Sequence, residues 1–317
     1  MEVSGDAGAG DFALVHAQIE AVGVGYDADD LHSASGQPAD FDALGVSALG
    51  VNCSLGPVEL VPIVDELMEW TDLPIIVKPN AGLPDPRTGA YEMTAEDFGR
   101  EMTVFAQRGA LIMGGCCGTT PDFIRALTAA VAAGAADRPV RKKRKGIASP
   151  GRVAEYGKLN VIGERINPTG RKKLAEEIKN GSLFSVKREA IDQVRAGARL
   201  LDVNMGVGGI DQVKAMHDAI REVSQITDAP LAIDTSDTKT LEAGLRAYPG
   251  RALINSVSAE KERIEEFLPL AKKYGAAILC LPITEDGVPK TAEDRINVIN
   301  GIIKEAKKNG LKDGDFL

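Results

Sequence analysis

The chain contains the stretch Ala110-Leu111-Ile112-Met113-Gly114-Gly115-Cys116-Cys117-Gly118-Thr119-Thr120-Pro121. Its first four residues form a continuous apolar run, which is typical of a strand buried in a parallel sheet. Thr120 and Pro121 suit the N-cap and the first position of a helix that we predict over residues 121–134. Two adjacent thiols, Cys116 and Cys117, are therefore expected at the C-terminal end of a strand, where parallel α/β folds bind ligands.

A third thiol has the same setting. Cys53 follows a predicted strand over residues 46–51 and precedes a predicted helix over residues 58–70. Adjacent cysteines can hardly form a disulfide with each other, but three thiolates with one open position match the composition of a catalytic zinc site. The alternative is three buried core cysteines, since free cysteine is often buried. The position at strand-end turns favours the metal site over this alternative.

The sequence around the three thiols resembles the homocysteine-binding barrel of the cobalamin-dependent methionine synthase family. Three motifs occur in order: Gly50-Val51-Asn52-Cys53-Ser54-Leu55-Gly56-Pro57, then Val77-Lys78-Pro79-Asn80-Ala81-Gly82-Leu83-Pro84, then residues 114–121. The resemblance implies that Cys53, Cys116 and Cys117 hold Zn²⁺ and act in catalysis, with the homocysteine sulfur as fourth ligand. A metal-bound thiol is deprotonated near neutral pH, and the thiolate is the nucleophile.

Composition limits the classes of function. The 317 residues have 44% hydrophobic and 4% aromatic content with 34 glycines, which suits an α/β protein. The net charge of −9 does not favour a nucleic-acid partner. No apolar run approaches the ~20 residues of a membrane span, and Met1–Asp11 lacks the features of a signal peptide. Four cysteines, three of them assigned to a metal, predict a reducing, cytoplasmic location.

Regular βα alternation predicts two arrays separated by a linker. The first has strands near 46–51, 73–78 and 110–113 and helices near 58–70, 95–108 and 121–134. The second has strands near 160–163, 199–203, 230–233, 251–254 and 276–280 and helices near 185–197, 208–226, 238–247, 259–274 and 291–308. Residues 11–22 are predicted as one amphipathic helix. The basic run 141–145, flanked by proline and glycine, indicates a solvated linker. We therefore place domains at 1–136 and 159–317, with a linker over 137–158.

Polar side chains follow the strands of the second array. Carboxylates and amides at successive strand ends form one pocket, suited to a planar heterocycle with alternating donors and acceptors. These motifs resemble the pterin-binding barrel of the same family and, more distantly, dihydropteroate synthases and corrinoid methyltransferases. The resemblance implies that six residues line a 5-methyltetrahydrofolate site: Glu164, Asn167, Asp202, Asn204, Asp234 and Asn255. Of these, Asp234 and Asn255 would be the main pterin partners, and Asp234 is assigned to catalysis. The alternative is that such residues only cap helices.

The resemblance implies a two-step methyl transfer. The methyl group moves from 5-methyltetrahydrofolate to cob(I)alamin and then to zinc-bound homocysteine, giving methionine and tetrahydrofolate. An eight-stranded barrel needs about 250 residues, so we expect two partial (βα)8 TIM-type barrels, with a sixth strand of the second beginning at residues 315–317. We expect an internal part of a longer enzyme, with cobalamin bound by a domain absent from this chain, in cis or in trans. An eight-stranded hybrid of both arrays is an alternative fold.

Two other functions remain open. One is a zinc-dependent homocysteine S-methyltransferase that uses another donor, such as betaine or S-methylmethionine. The other is a non-catalytic remnant that at most binds zinc. The pterin-like array over residues 159–317 argues against the first of these alternatives, and zinc stoichiometry separates the second from an enzyme.

Overall fold

The computed structural model describes residues 18–22, 38–132 and 143–317. The chain divides into two compact units, one of Met1–Gly25 with Gly45–Arg144 and one of Tyr26–Leu44 with Lys145–Leu317. Each unit contains parallel strands alternating with helices, so the predicted α/β class is confirmed. In the described part of the chain, no helix is both long and apolar enough to cross a membrane.

The first unit is built on a four-stranded sheet in the order β1-β2-β3-β4. Its elements are β1 (Gln18–Val22), β2 (Ala48–Asn52), α2 (Pro57–Trp70), β3 (Ile75–Lys78), α3 (Ala95–Gln107), β4 (Ile112–Met113) and α4 (Pro121–Ala132). Strands β2, β3 and β4 are parallel and match the predicted strands within a few residues. Cys53 directly follows β2, and Cys116 and Cys117 follow β4, so the three thiols lie at the C-terminal end of the sheet.

The predicted helix over residues 11–22 is wrong where it can be compared. Residues 18–22 form strand β1, which pairs antiparallel with β2, and residues 11–17 lie outside the described residues. Pairing with β1 provides hydrogen-bond partners for the backbone groups along one edge of β2. This long-range pairing therefore outweighs the local helical pattern of residues 18–22.

Helices α3 and α4 pack against each other and match the predicted helices within a few residues. Thr94 caps α3 by accepting a hydrogen bond from the Asp97 backbone N–H. The helix buries Phe98 and Met102 at helical spacing. Gly99 lies against α4 so closely that a Cβ there would be 2.8 Å from the carbonyl oxygen of Ala126. The two helices are therefore in backbone contact.

The second unit is built on a five-stranded parallel sheet in the order β11-β10-β9-β8-β7. Its elements are α1 (Pro38–Leu44), β5 (Gly146–Ala148), β6 (Val153–Glu155), β7 (Ile162–Ile166), α5 (Lys172–Lys179), α6 (Phe184–Arg195), β8 (Leu200–Asn204), α7 (Gln212–Ile226), β9 (Leu231–Asp234), α8 (Thr238–Ala247), β10 (Leu253–Ser258), α9 (Lys261–Lys273), β11 (Ala277–Leu281) and α10 (Ala292–Lys308). All predicted strands and helices of this array are present, and α5 is an additional helix.

Part of the predicted linker is buried in the second unit. Strands β5 and β6 form an antiparallel hairpin, and Ile147 and Ala154 pack with Leu200, Ala232 and Leu253 against the sheet. The hairpin strands over residues 146–148 and 153–155 are therefore not a solvated linker, because their apolar side chains cover the sheet face. Residues 133–142 lie outside the described residues. The division into domains at 1–136 and 159–317 stays a prediction.

Neither sheet closes into a barrel within the described residues, and each strand lies beside its neighbours in sequence, as in an arc of a barrel. The hybrid eight-stranded barrel is wrong, because β4 and β7 belong to separate sheets. The expected sixth strand is confirmed in outline. Ile278 donates to the carbonyl oxygen of Asp315 at 2.8 Å, and Phe316 forms a parallel bridge beside β11.

Candidate functional site

The three thiols of the first unit converge. The Cys53 Sγ lies 3.5 Å from the Cys117 Sγ, which lies 3.9 Å from the Cys116 Sγ. All three sulfur atoms lie within 4.8 Å of one another, and none of the three residues is fully buried. Cys53 follows β2, and the adjacent pair follows β4, so two strand ends deliver them as the sequence predicts.

Cys53 has an unusual backbone. Its φ of 62° and that of Ser54, also 62°, lie in the left-handed region that non-glycine residues rarely adopt. The Cys53 N–H donates to the carbonyl oxygen of Lys78 at 3.0 Å, which anchors the turn to β3. A conformation of this kind costs about 1–3 kcal/mol and is concentrated at functional sites. Here it turns the thiol towards the other two.

Asn80 joins the two thiol loops. Its side chain is buried, with 3% exposure, and its Oδ1 accepts a 3.1 Å hydrogen bond from the Cys117 backbone N–H. The Asn80 backbone N–H donates to the carbonyl oxygen of Leu55 at 2.9 Å, in the turn that follows Cys53. The Cys116 N–H donates to the carbonyl oxygen of Pro79 at 2.8 Å. The segment after β3 therefore holds both thiol-bearing turns in register.

Tyr91 lies against the cysteine turn. Gly118 has a φ of +79°, and a Cβ there would be 2.4 Å from the Tyr91 Cγ. The Tyr91 hydroxyl lies close enough to the Cys117 sulfur to interact with it electrostatically. Burial, followed by the negative charge of Cys117, raises the pKa of Tyr91. The phenol therefore stays protonated at neutral pH.

The thiols differ in acidity. The backbone N–H of Ser54 is the main group that lowers the pKa of Cys53, followed by hydrogen bonds with Cys117 and Cys116. Burial raises the pKa of Cys116 to about 11. A cation among the three sulfurs would favour the thiolate form of all of them, because a coordinating thiol is deprotonated.

The arrangement fits zinc. In tetrahedral zinc–sulfur sites with Zn–S bonds near 2.3 Å, neighbouring sulfur atoms are about 3.8 Å apart. The two measured separations, 3.5 and 3.9 Å, lie on either side of this value. Three thiolates leave one of four positions open for a substrate, as in catalytic rather than structural zinc sites.

In the second unit, strand register brings polar residues together. Asn204, Asp234 and Asn255 are direct neighbours across β8, β9 and β10, so they share one face at the C-terminal end of the sheet. Asp202 lies two residues before Asn204 on the same face, beside Ala232. Because alanine is small, the Asn255 Nδ2 can pass over it and donate to the Asp202 Oδ2 at 2.6 Å.

Carboxylates and amides alternate in this cluster. The Asn204 Nδ2 donates to the Asp234 Oδ2 at 2.8 Å. Asp202 is buried, with 3% exposure, and burial raises its pKa to about 7. The nearby carboxylates of Asp234 and Glu164 also raise this pKa, whereas the Asn255 hydrogen bond lowers it. Such a cluster can offer both acceptors and donors to a planar ring.

The remaining two candidate residues are placed differently. Glu164 is exposed on β7, and its negative charge contributes to the raised pKa of Asp202. The Asn167 Oδ1 accepts a 2.9 Å hydrogen bond from the Thr169 N–H, so it caps its own loop. Cys280 is buried on β11 and is not part of the thiol cluster.

Sequence analysis did not identify Asn80 and Tyr91 as site residues. Asn80 lies in the quoted motif 77–84, where a polar residue directly after a buried strand is a usable signal. Tyr91 is separated from Cys117 by an entire helix, and no local pattern indicates its contact with that sulfur.

Two family models match the chain. Residues 20–131 match the homocysteine S-methyltransferase model, and residues 163–312 match the pterin-binding enzyme model.

Two methionine synthases are similar over most of this chain. That of Mycobacterium leprae is 31% identical over 315 residues, covering 93% of this chain and 26% of the relative. That of Mycobacterium tuberculosis is 31% identical over 290 residues, covering 87% of this chain and 24% of the relative. The chain thus spans about a quarter of the length of these relatives.

A solved dihydropteroate synthase from Xanthomonas albilineans, in complex with indole-2-carboxylic acid and 6-chloroguanine, aligns with a TM-score of 0.40. Its sequence identity is 16%, and the alignment covers 54% of this chain and 63% of that chain.

Proposed function

Since the chain belongs to the methionine synthase family, with a homocysteine S-methyltransferase region and a pterin-binding region, we propose that it serves methyl transfer from 5-methyltetrahydrofolate to homocysteine. The observation that carries this proposal is the convergence of three sulfur atoms within 4.8 Å at two strand ends. The first unit would activate homocysteine, and the second would bind the folate.

In the first unit, Cys53, Cys116 and Cys117 would hold Zn²⁺. Bound zinc supplies positive charge that keeps the homocysteine sulfur as a thiolate, which is the nucleophilic form. Asn80 positions Cys117 by accepting from its backbone N–H, and the Tyr91 ring lies against the following turn at Gly118. These contacts support the ligand geometry, as outer contacts do in other metal sites.

In the second unit, Asp234 and Asn255 would bind the pterin edge. A carboxylate accepts from the ring N–H and amino groups, and an amide pairs with the lactam. Asn204 orients Asp234, and Asn255 is held by Asp202. Asp202 has a pKa of about 7, so it can hold a proton beside the ring at neutral pH. Glu164 and Asn167 would line the rim of the site.

Cobalamin would carry the methyl group between the sites. The two candidate sites lie in different units, and a cobalamin-bound methyl group would connect their half-reactions. We propose that a cobalamin-binding domain acts with this chain, in cis or in trans.

Zinc content tests the first half of the proposal. We expect about one zinc per purified wild-type chain, in keeping with a single thiolate site. Cys116→Ala should lose the zinc, whereas Cys280→Ala should retain it, because Cys280 lies outside the cluster. A folded wild-type chain that takes up no added zinc would favour the non-catalytic remnant.

Ligand binding tests the second half. We expect 5-methyltetrahydrofolate to bind the wild type and the exposed control Asp286→Ala, and to bind Asp234→Ala at least about tenfold more weakly, since a lost hydrogen bond to a charged group costs about 1.5–3 kcal/mol. Methylation of homocysteine by betaine or S-methylmethionine, without folate binding, would instead support the enzyme that uses another donor.

A further inference from the structure

Strand β7 contains one more residue than its pairing with β8 requires. Glu164 and Arg165 of β7 together stand opposite a single residue of β8, Asp202, because the register of the two strands shifts at this point. Such an insertion is a β-bulge, which is rare between parallel strands and is over-represented next to active sites. In this protein it lies directly beside the buried aspartate of the candidate pterin cluster.

The residues on either side of the bulge both face the helices. Ile166 is paired with Val203 and is buried in the same hydrophobic core. Gly163 is paired with Leu201, another residue of this core, and lies against Gln193 of α6. In a regular strand, residues three apart point to opposite faces. The extra residue is therefore what allows both to face the helices.

The bulge thereby brings two candidate pterin residues to the polar face of the sheet. Glu164 and Asn167 each directly follow one of these helix-facing residues. Because successive side chains alternate between faces, both start from the face that carries Asp202. In agreement, the negative charge of Glu164 contributes to the raised pKa of Asp202. Without the extra residue, one of the two would leave this face.

Gln193 holds the bulge from α6. Its Oε1 accepts a 2.7 Å hydrogen bond from the Arg165 backbone N–H, and the residue is only 9% exposed. The Gln193 Nε2 donates to the carbonyl oxygen of Glu189 at 3.1 Å, so both polar atoms of the amide are bound. A Cβ at Gly163 would lie 2.6 Å from the Gln193 Oε1, so glycine at this position leaves room for the amide.

A second side chain binds the other backbone group of the bulge. The Arg171 guanidinium donates to the Arg165 carbonyl oxygen and forms an ion pair with Glu189. Glu189 is also the residue whose carbonyl oxygen accepts from Gln193. A bulge leaves its extra residue outside the regular ladder of the sheet. Here the N–H and the C=O of that residue are both bound by side chains that are linked to each other.

We propose that Gln193 is a positioning residue for the folate site of the second unit. It acts through the Arg165 backbone, and the bulge that it holds places Glu164 and Asn167 on the face of the candidate pterin cluster. This inference rests on the proposed function of the second unit. The alternative role is support of the fold alone, and the two roles differ in whether Gln193 is coupled to Glu164.

The test is a double-mutant cycle on the full chain. Gln193→Met keeps the approximate size of the side chain but removes the acceptor, whereas Gln193→Glu keeps the acceptor and is the rescue variant. Gln225→Met, at an exposed position of α7, is the matched control. Each variant is also combined with Glu164→Ala, and binding of 5-methyltetrahydrofolate is measured for all of them.

We expect Gln193→Met to bind 5-methyltetrahydrofolate about tenfold more weakly than the wild type, as the loss of one hydrogen bond from a displaced Glu164 would give. Gln193→Glu and Gln225→Met should bind like the wild type. Glu164→Ala should weaken binding in the wild type but add little in Gln193→Met, because Glu164 is already displaced there. Wild-type affinity in Gln193→Met would overturn the inference, and so would an equal effect of Glu164→Ala in both backgrounds.

A second measurement needs no folate and separates this inference from the proposed function. Carboxyl NMR follows the pKa of Asp202, which Glu164→Gln should lower in the wild type because a neighbouring negative charge is removed. The other carboxylate that raises this pKa, Asp234 on β9, is unchanged in every variant. In Gln193→Met, the effect of Glu164→Gln should be lost.

The two readouts can fail separately. If the wild type binds no folate but the effect of Glu164→Gln on Asp202 depends on Gln193, the positioning role stands and the folate function fails. If the wild type binds folate but this effect is the same in both backgrounds, the positioning role fails and the folate function stands. No folate binding together with an equal effect in both backgrounds overturns both.

Gly163→Ala is the second variant, used if Gln193→Met does not fold. Its Cβ would take the space of the Gln193 Oε1, so the acceptor is displaced without being removed. The same loss of coupling between Glu164 and Asp202 is expected. Coupling of wild-type size in Gly163→Ala would overturn the inference.

Discussion

The Asn80 Oδ1 accepts a 3.1 Å hydrogen bond from the backbone N–H of Cys117, 37 residues further along the chain. The backbone N–H of Asn80 donates to the carbonyl oxygen of Leu55 at 2.9 Å, in the turn that follows Cys53. One buried residue thus links the turns that carry the thiols from two strand ends. Because Asn80 is buried, it acts as a fixed support rather than as an adaptable surface group.

Replacing Asn80 is expected to weaken metal binding. Asn80→Ala removes the hydrogen bond to the Cys117 backbone while leaving all three cysteines in place. Loss of such a supporting contact typically lowers metal affinity about 10–100-fold. Competition with a chromophoric chelator measures this, with the exposed Asn180→Ala as the matched control. Unchanged zinc affinity in a folded Asn80→Ala variant would show that the amide does not position the ligands.

Tyr91→Phe is expected to change the electron donation from Cys117 to the bound metal without loss of the metal. The variant removes the hydroxyl that interacts electrostatically with the Cys117 sulfur, so the thiolate becomes a stronger electron donor. In the cobalt-substituted protein, the sulfur-to-cobalt absorption band should move to longer wavelength. Tyr156→Phe is the control, since its buried hydroxyl has no hydrogen-bond partner in the structure. Identical spectra for wild type and Tyr91→Phe would exclude this contact.

Two glycines provide a matched test of the Tyr91 contact. Gly118 and Gly89 both have positive φ, +79° and +70°, so alanine costs about 1–2 kcal/mol of backbone strain at either position. Only at Gly118 would the new Cβ collide with Tyr91, since nothing lies within 4 Å at Gly89. Gly118→Ala should therefore lower the zinc affinity and the unfolding temperature more than Gly89→Ala. Equal losses would mean that the turn can move away from the ring.

Asp202 predicts a pH dependence of stability. Burial raises its pKa from 3.8 to about 7, so between these values the folded state binds more protons than the unfolded state. Protonated Asp202 therefore contributes fully to stability below pH 4. This contribution is lost as the pH rises to 7, which lowers the free energy of unfolding by up to roughly 4 kcal/mol.

Asp202→Asn tests this directly. The asparagine cannot ionise, and its oxygen can still accept from Asn255. In urea unfolding, the variant should be more stable than wild type at pH 8, and this advantage should shrink as the pH falls towards 4. The exposed Asp286→Asn should show no such trend. A constant difference between Asp202→Asn and wild type across this range would contradict the prediction.

Local sequence was sufficient for the parallel sheets and for the residues at their ends. Apolar runs between capped helices predict strands such as β3 and β8, because strands covered on both faces need continuous apolar side chains. The same logic places Cys53, Cys117 and Asp234 at C-terminal strand ends, where parallel register brings neighbouring residues together. The thiol triad could therefore be predicted, although its zinc and the role of each pterin residue remain proposals.

Other features depended on contacts that are distant in sequence. Strand β1 is stabilised by pairing with β2, and the β5–β6 hairpin is buried against β8, β9 and β10. Because these partners are distant in sequence, no local pattern indicated either element. The hydrogen bond between Asn80 and Cys117 and the position of the Tyr91 ring against Gly118 also arise only when separate loops meet. The sequence determined which chemical groups lie at each strand end, because the alternation of apolar strand runs and helices shows where each strand ends. Tertiary structure alone decided which of them touch and which neighbours shift their pKa values, because distance, burial and hydrogen bonding act across the folded chain.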